Sequence, residues 1–243
     1  MSFLYPEWPA PENVSAASTT RVGGYSQGPF ASFNLGAHVG DDDHAVKRNR
    51  RYLTESLDLL SQPVWLQQVH GTDIANLNQS NSVNVDIVAD ASISKATGKI
   101  CAVMTADCLP ILLTDRSGDQ VAAVHAGWRS MAGEIIEKVV ELFTTAPENI
   151  LAWCGPCIGP SQFEVGLEVR DALGGPSTAY LPHADRSKVY ANLHCLAADR
   201  LEAIGVKSIY FSDHCTYLEP ELFFSYRRDG QTGRMASLIM KQS

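Results

Sequence analysis

The apolar residues of this chain gather in short runs, and this spacing limits what the chain can fold into. Residues 100–104, 109–113, 121–124 and 150–153 are largely apolar and end at polar, glycine or proline residues. Runs of this length are typical of buried β-strands. They are far shorter than the stretch of about 18 apolar residues that crosses a bilayer. The chain has 243 residues, enough to bury a sizeable core, and we predict one domain over residues 1–243.

Other segments have the periodicity or composition of helices. A first helix is expected to begin at the acidic residue Asp43, because Val46, Leu53 and Leu57 then share one face. The four predicted helices cover residues 43–60, 133–143, 164–173 and 193–203. Further strands are predicted over residues 64–69, ending at His70, and as a last pair near Ile209 and over 223–226. The glycine-rich residues 19–42 are predicted as loops.

Charge and cysteine content exclude several classes of protein. The chain carries 27 acidic against 19 basic side chains, a net charge of −8, and no basic run that would neutralise nucleic-acid phosphates. Residues 1–11 lack the basic and apolar segments of a signal peptide. Six cysteines are too sparse for a disulfide scaffold, which favours free thiols or metal ligands. We expect a cytoplasmic protein with small-molecule partners, no nucleic acid and no membrane.

Three potential metal ligands follow predicted strands. His70, Cys108 and His125 each lie where an apolar run gives way to glycine, proline or alanine. Two imidazoles and one thiolate suit a catalytic zinc site, in which the fourth position is left to water or substrate. Packing without any ligand role is the alternative, because histidines and cysteines at strand ends often serve only that purpose.

A second string has the letters of a redox site. Residues 153–157 read Trp-Cys-Gly-Pro-Cys, as in thioredoxin, where the second cysteine lies inside a continuing helix. Here Gly159 and Pro160 follow at once and would break such a helix. We therefore predict that Cys154 and Cys157 belong to a turn and have no redox function.

Arginines and carboxylates provide candidates for substrate binding and proton transfer. Arg21, Arg50 and Arg129 are candidate phosphate ligands, because a guanidinium group can bind phosphate through two hydrogen bonds. Surface exposure without function is the alternative for at least half of the arginines. Asp107 and Glu164 are candidate proton carriers, although turn and helix-capping roles are common for such residues. Neither a Walker A string nor a Gly-x-Gly-x-x-Gly fingerprint occurs, so nucleotide-triphosphate and dinucleotide binding are not indicated.

Several motifs in order resemble one family across residues 19–238. The strings that carry the resemblance are Gln-Val-His-Gly at 68–71, Thr-Ala-Asp-Cys-Leu-Pro at 105–110, His-Ala-Gly-Trp-Arg at 125–129, Gly-Pro-Cys-Ile-Gly-Pro at 155–160, Phe-Glu-Val-Gly at 163–166 and Phe-Ser-Tyr-Arg-Arg-Asp at 224–229. They are similar to the bacterial laccase-domain or polyphenol oxidase family, whose members are also called peptidoglycan editing factors.

The resemblance implies a fold, an activity and a metal site. It implies an α+β fold with mixed β-sheets packed between helices, similar to the laccase-domain and cytotoxic necrotising factor-like fold. It implies phosphorolysis of adenosine, inosine and 5′-methylthioadenosine to base and ribose 1-phosphate, together with adenosine deamination. The family's metal ligands fall on His70, Cys108 and His125, and Zn²⁺ is the expected metal. In that scheme Arg21, Arg50 and Arg129 hold phosphate, and Asp107 carries a proton. A monomer or a homodimer is expected.

The laccase label and two other functions remain as alternatives. Multicopper oxidases bind four coppers largely through His-X-His pairs, and the seven histidines here form no such pair. Copper could still enter the single three-ligand site and support a weak polyphenol oxidase activity. A metal-free cysteine hydrolase would use Cys108 as nucleophile with His125 or His70 as base. A role in peptidoglycan editing through a binding partner is the third alternative.

Overall fold

The computed structural model describes residues 2–78 and 87–242 of the chain. Its strands are β1 (Phe3–Leu4), β2 (Val14–Thr19), β3 (Leu66–Gln67), β4 (Ile74–Asn76), β5 (Ile87–Val88), β6 (Ala91–Ser94), β7 (Ile100–Thr105), β8 (Leu109–Asp115), β9 (Val121–Ala126), β10 (Ile150–Cys154), β11 (Glu164–Gly166), β12 (Tyr180–Pro182), β13 (Lys188–Ala191), β14 (Ser208–Phe211) and β15 (Met235–Lys241). Its α-helices are α1 (Asp43–Ser56), α2 (Trp128–Ala132), α3 (Ile135–Glu141), α4 (Leu167–Leu173), α5 (Leu193–Ala203) and α6 (Tyr226–Asp229).

Two large sheets stack in the middle of the molecule. The first has the strand order β1-β2-β15-β7 and is antiparallel throughout. The second has the order β14-β10-β8-β9-β6-β4 and is mixed, because its outer pairs β10–β14 and β4–β6 are parallel. Two smaller sheets, β11-β13-β12 and β3-β5, lie outside this pair. The α+β fold with mixed sheets is confirmed.

Alternation along β8 shows how the layers pack. Ile111 and Leu113 belong to one buried cluster, which also contains apolar residues of α3 and α5. Leu112 points to the opposite face and packs with Val103 of β7 and Ile239 of β15. The other face of the first sheet packs against α1. Helices therefore cover both outer faces of a two-sheet sandwich, as expected when each sheet face must be buried.

The apolar runs correctly predict the central strands. The strands predicted over residues 100–104, 109–113, 121–124 and 150–153 are confirmed as β7, β8, β9 and β10. The helix predicted over residues 193–203 is confirmed as α5, and the residues after Thr19 form loops with one short 3-10 turn, Gly28–Phe30. No helix in the described part of the chain is long and apolar enough to cross a membrane.

Several predicted boundaries are wrong because local backbone contacts override the apolar pattern. The first helix ends at Ser56, since Asp58 adopts a left-handed conformation with φ of 48°. Glu134, with φ of 69°, divides the helix predicted over residues 133–143, and α3 begins after it. Residues 164–166 are strand β11 rather than the start of α4. The strand predicted over 64–69 shortens to β3, and Gln68 instead bonds through its side chain to the backbone of Met104.

The predicted last strand pair is the largest error. Residues 223–225 are not in a strand, and Ser225 caps α6 by accepting a hydrogen bond from the Arg228 N–H. The strand near Ile209 is present as β14, but it pairs with β10. The true last strand is β15, which lies between β2 and β7. Neither β2 nor β15 was predicted.

Candidate active site

Three side chains from separate segments form one cluster of potential ligands. One ligand atom from each of His70, Cys108 and His125 lies within 4.8 Å of the others. The Sγ atom of Cys108 is 3.8 Å from Nε2 of His70, and the two imidazole rings have centroids 4.8 Å apart. His70 is exposed, Cys108 is half-buried and His125 is buried. The cluster is therefore held from the protein interior and open on one side.

Strand pairing brings two of the ligands together. Cys108 directly precedes β8, and His125 is the last but one residue of β9; in this antiparallel pair Leu109 is opposite Ala126. Gly127 follows and lies against all three ligands. A Cβ atom there would come within 2.9 Å of Cδ2 of His70 and 3.3 Å of Sγ of Cys108. Only glycine fits this position without displacing a ligand.

Asp90, which directly precedes β6, connects the segment of His70 to His125. Its carboxylate is fully buried, and its Oδ1 atom lies 2.8 Å from Nδ1 of His125. The same carboxylate accepts hydrogen bonds from the backbone N–H groups of Val69, His70 and Gly71. These bonds hold His70 in a left-handed conformation with φ of 59°. Because a carboxylate only accepts, it fixes a hydrogen of His125 on Nδ1, so that Nε2 is the nitrogen that a neutral His125 ring would offer to a bound cation.

The sequence analysis missed Asp90. Its signal in the sequence is an acidic residue inside an apolar segment, Ile87-Val88-Ala89-Asp90-Ala91. A buried carboxylate needs several hydrogen-bond donors, so such a residue marks a place where polar groups converge.

The cluster is electrostatically suited to a cation. Burial by itself would raise the pKa of Cys108, but the charge of His125 and hydrogen bonds from His125 and His70 outweigh it and lower this pKa to about 6. Burial alone would likewise lower the pKa of His125. The Cys108 thiolate and the hydrogen bond to Asp90 reverse that effect and raise it to about 9. Thiolate and imidazolium thus stabilise each other as a pair.

The same residues meet the requirements of a metal site. They supply two imidazole nitrogens and one thiolate, a donor set that suits zinc and also admits copper. The Asp90 carboxylate behind His125 is the orienting partner that metal-bound histidines normally have. The residues present therefore fit a metal ion, for which they could supply three protein ligands.

The cluster lies in a cavity of about 410 Å³, within the range of small-molecule sites. Trp128 and Tyr226 provide aromatic surface, and Tyr226 is 62% exposed. Arg129, Arg234 and His38 also line the cavity, whereas no aspartate or glutamate of the described residues does. The cavity is therefore lined by cationic and aromatic groups around the ligand cluster.

Among the predicted phosphate ligands, the structure places only Arg129 in this cavity. The guanidinium group of Arg21 donates to the carbonyl oxygens of Ala31 and Pro220. That of Arg50 donates twice to the carbonyl oxygen of Leu35 and stacks on the ring of Trp65. These contacts give Arg21 and Arg50 a role in holding loops. Their binding of phosphate stays a prediction.

Asp107 is directed away from the cavity. Its Oδ1 atom accepts from Oγ1 of Thr216, and its Oδ2 atom accepts from the backbone N–H of Arg227, both at 2.7 Å. The residue is buried and has φ of 100°, so these bonds secure a strained turn immediately before Cys108. Its contacts support a positioning role, and its role as proton carrier stays a prediction without support from them. Glu164 lies elsewhere and pairs with Lys188 and His183.

Cys154 is the last residue of β10, the chain bends at Pro156, and Cys157 forms an isolated β-bridge with Cys215, so the two cysteines do not lie together in a turn as predicted. No helix continues from Cys157, in agreement with the predicted break at Gly159 and Pro160. Cys154 and Cys157 are free and buried. Burial raises the pKa of Cys154 to about 12 and, with the nearby Cys154 and Cys215, raises that of Cys157 well above its usual range. Such thiols are poor nucleophiles, because the thiolate is the reactive form.

A larger cavity, of about 560 Å³, lies between the N-terminal segment and the end of α1. Trp8, Leu57 and Met240 are among its lining residues, which include no histidine, cysteine or arginine within the described ranges. We place the active site in the smaller cavity because it contains the His70–Cys108–His125 cluster together with arginines and aromatic rings.

Comparison with known proteins identifies relatives over the whole chain. Residues 15–242 match the family described as multi-copper polyphenol oxidoreductase laccase. The purine nucleoside phosphorylase YfiH of Escherichia coli is 50% identical over 97% of this chain and 97% of its own. A purine nucleoside phosphorylase of Haemophilus influenzae is 45% identical over 98% and 99%.

Solved structures agree with the fold. A Neisseria meningitidis protein is 43% identical and superimposes with a TM-score of 0.93 over 100% of both chains. YlmD of Geobacillus stearothermophilus is 35% identical, with a TM-score of 0.91 over 100% of this chain and 97% of its own.

Proposed function

The chain belongs to the laccase-like polyphenol oxidoreductase family, and we propose that it is a zinc-dependent purine nucleoside phosphorylase. The reaction would split adenosine, inosine or 5′-methylthioadenosine into the base and a pentose 1-phosphate. The observation that carries the proposal is one cavity in which the ligand cluster, arginines and aromatic rings face the same space. A nucleoside and phosphate need these groups together, since the base offers a flat ring and phosphate offers negative charge.

His70, Cys108 and His125 would hold the metal. When bound there, zinc supplies a Lewis acid, which polarises a substrate atom or activates water. Asp90 fixes the tautomer and orientation of His125 through the bond to Nδ1. Gly127 keeps the space between the ligands clear. Copper at the same residues is an alternative that metal analysis of the purified protein distinguishes.

The remaining lining residues would position the two substrates. Trp128 and Tyr226 offer ring faces on which a purine can stack. Arg129, which stacks on the ring of Trp128 with 4.2 Å from Cζ to the ring centroid, would contribute to binding phosphate. Holding phosphate and nucleoside together converts a bimolecular reaction into an effectively unimolecular one.

Adenosine deamination is a second proposed activity of the same site. It needs a group that moves protons near the purine. Since no carboxylate lines the cavity in the described part of the chain, His38, the lining histidine outside the ligand cluster, would have to do so. The cytoplasmic location and the monomeric or homodimeric state also stay predictions.

The test is to incubate zinc-analysed protein with adenosine, with and without phosphate, and to identify the products by chromatography. Adenine that appears only with phosphate supports the phosphorylase. Inosine in both samples supports the additional deaminase. No product from a zinc-loaded sample would contradict the proposal.

A metal-free cysteine hydrolase is the second candidate, and one observation favours it. The thiol of Cys108 is hydrogen-bonded to His125, which is in turn hydrogen-bonded to Asp90. This is the order of nucleophile, base and orienting carboxylate in thiol hydrolases. The two candidates differ in how zinc affects the thiol. A ligated thiolate is protected from iodoacetamide, whereas a free nucleophile in zinc-replete protein would be alkylated rapidly.

A further inference from the structure

Two arginines line the active-site cavity, and no acidic side chain lines it among the described residues. The other cationic groups there are three histidines, of which His125 pairs with Asp90 behind it, although the whole chain has a net charge of −8. Neither arginine forms an ion pair within the described residues. A concave site with excess positive charge attracts anions, because its low-dielectric walls concentrate the field.

Arg234 is the most constrained of these cations. Its Nη1 atom donates to the carbonyl oxygens of Thr232 and Gly233, both at 3.0 Å, and these bonds fix the plane of the guanidinium group. The aliphatic part packs on Gly36, where a Cβ atom would come within 2.8 Å of Cγ. The Nε and Nη2 atoms have no hydrogen-bond partner among the described residues. A rigid, half-buried guanidinium with free donors is preorganised for an oxyanion.

Groups of both signs surround Arg234. Burial lowers the pKa of Arg234, and the negative charges of Cys108 and Asp107 raise it in part. His38, from the loop before α1, lies close enough to Arg234 and Arg50 that, after partial burial, both arginines lower its pKa. A neutral imidazole still donates one hydrogen bond to an anion. Arg129 reaches the cavity from α2, a separate segment.

We infer that Arg234, with His38 and Arg129, forms the phosphate subsite of the cavity, beside the His70–Cys108–His125 cluster. This inference rests on the proposed function and assigns a place to one of its two substrates. The subsite would accept inorganic phosphate in the forward reaction and the phosphate group of a pentose 1-phosphate in reverse. Arg234 was not among the predicted phosphate ligands, because no glycine-rich turn or strand end singled it out.

The test replaces Arg234 with Met, which keeps the length of the side chain and removes its charge and donors. Arg170→Met is the matched control, because the Arg170 side chain is 40% exposed and, among the described residues, forms an ion pair only with its neighbour Asp171. Two measurements apply: KM for phosphate and for adenosine in phosphorolysis, and equilibrium dialysis with radiolabelled phosphate in the absence of nucleoside. Thermal unfolding and zinc content establish that each variant is folded and loaded.

We expect Arg234→Met to raise the phosphate KM and the phosphate dissociation constant by about 10–100-fold, as for loss of a charge-assisted hydrogen bond. The adenosine KM should change by less than about twofold, because in this proposal Arg234 contacts phosphate and not the nucleoside. Arg234→Lys should recover part of the loss, since it restores the charge without the planar fork. The KM for pentose 1-phosphate, measured in the reverse reaction, shows whether the subsite also binds the phosphate group of that sugar or only inorganic phosphate.

Two results separate failure of the inference from failure of the proposed function. If wild-type protein forms adenine only with phosphate, and folded Arg234→Met keeps the wild-type phosphate KM, the subsite is wrong and the function stands. If wild-type protein forms no adenine, the function fails, and equilibrium dialysis alone decides whether Arg234 binds phosphate. Should Arg234→Met not fold, Arg129→Met and His38→Asn serve in the same measurements, and an unchanged phosphate affinity in both overturns the inference.

Discussion

Two clusters of histidine and cysteine in this protein show how the surroundings decide the chemistry of similar side chains. In the first, Cys108 lies beside His70 and His125 at an open cavity, and its pKa is lowered to about 6. In the second, Cys157 lies 3.6 Å from Nε2 of His194, and its pKa is raised well above the usual range. The second cluster has the better-known sequence motif, whereas the first has the features of an active site.

The histidines differ in the same sense. The pKa of His125 is raised because the adjacent thiolate and the Asp90 carboxylate outweigh burial. The pKa of His194 is lowered because burial dominates over its hydrogen bond to the Gly155 carbonyl oxygen. The buried Asp90 carboxylate, which is hydrogen-bonded to His125, contributes to this difference together with the Cys108 thiolate. The following predictions test this comparison.

The largest expected difference is between removing Cys108 and removing Cys154. Cys108→Ala should abolish stoichiometric zinc binding and lower phosphorolysis by at least about 100-fold, because loss of a ligand costs more than loss of an outer partner. Cys154→Ala should retain zinc and activity, since Cys154 is a buried apolar neighbour of the core. Metal analysis and product formation measure both. Retained turnover in zinc-free Cys108→Ala protein would contradict the metal mechanism.

Thiol reactivity should differ between the clusters in metal-free protein. At neutral pH, iodoacetamide should modify Cys108 at least about 100-fold faster than Cys154, because Cys108 is mostly thiolate and accessible. The rate at Cys108 should fall below pH 6, where the thiol becomes protonated. Peptide mass spectrometry gives the rate at each site, and zinc should protect Cys108. Equal rates at the two cysteines would show that the surroundings do not separate them.

Asp90→Asn should weaken zinc binding by about 10–100-fold, as expected for an outer partner of a ligating histidine. Asparagine has nearly the same shape, but its NH2 group replaces one carboxylate oxygen. A donor then faces either the backbone N–H groups or the N–H of His125. Asp171→Asn, at an exposed position, is the control. Competition with a chelator measures the affinity. Wild-type affinity in Asp90→Asn would mean that the backbone alone positions the ligands.

The smallest expected effect concerns acid stability at the second cluster. Because burial lowers the pKa of His194 below its ordinary 6.5, its neutral form stabilises the fold fully above that pH. The contribution is lost as the pH falls through the lowered pKa of the folded state. His194→Gln, which can still donate to Gly155, should therefore reduce the loss of unfolding free energy between pH 7 and pH 5. Urea titrations at the two pH values measure it, and identical losses would contradict the expectation.

The pattern of apolar residues along the chain was sufficient to predict the buried central strands. The central strands β7 to β10 are apolar on both faces because sheet and helices cover them, and an apolar run reports that directly. It also placed Cys108 and His125 at strand ends. The strand β15 was less predictable, because its position between β2 and β7 depends on partners over a hundred residues away.

The sequence by itself determined the family, the three ligand types and the absence of a continuing helix after the Cys-Gly-Pro-Cys string, because these depend on residue identity and neighbours along the chain. Only the tertiary structure decided which charges meet. It buried Asp90 against His125, engaged Arg21, Arg50 and Asp107 with other groups, and brought Arg234 and His38 to the cavity. Side-chain hydrogen bonds between distant segments leave no periodic signal, since a single donor and acceptor suffice for each.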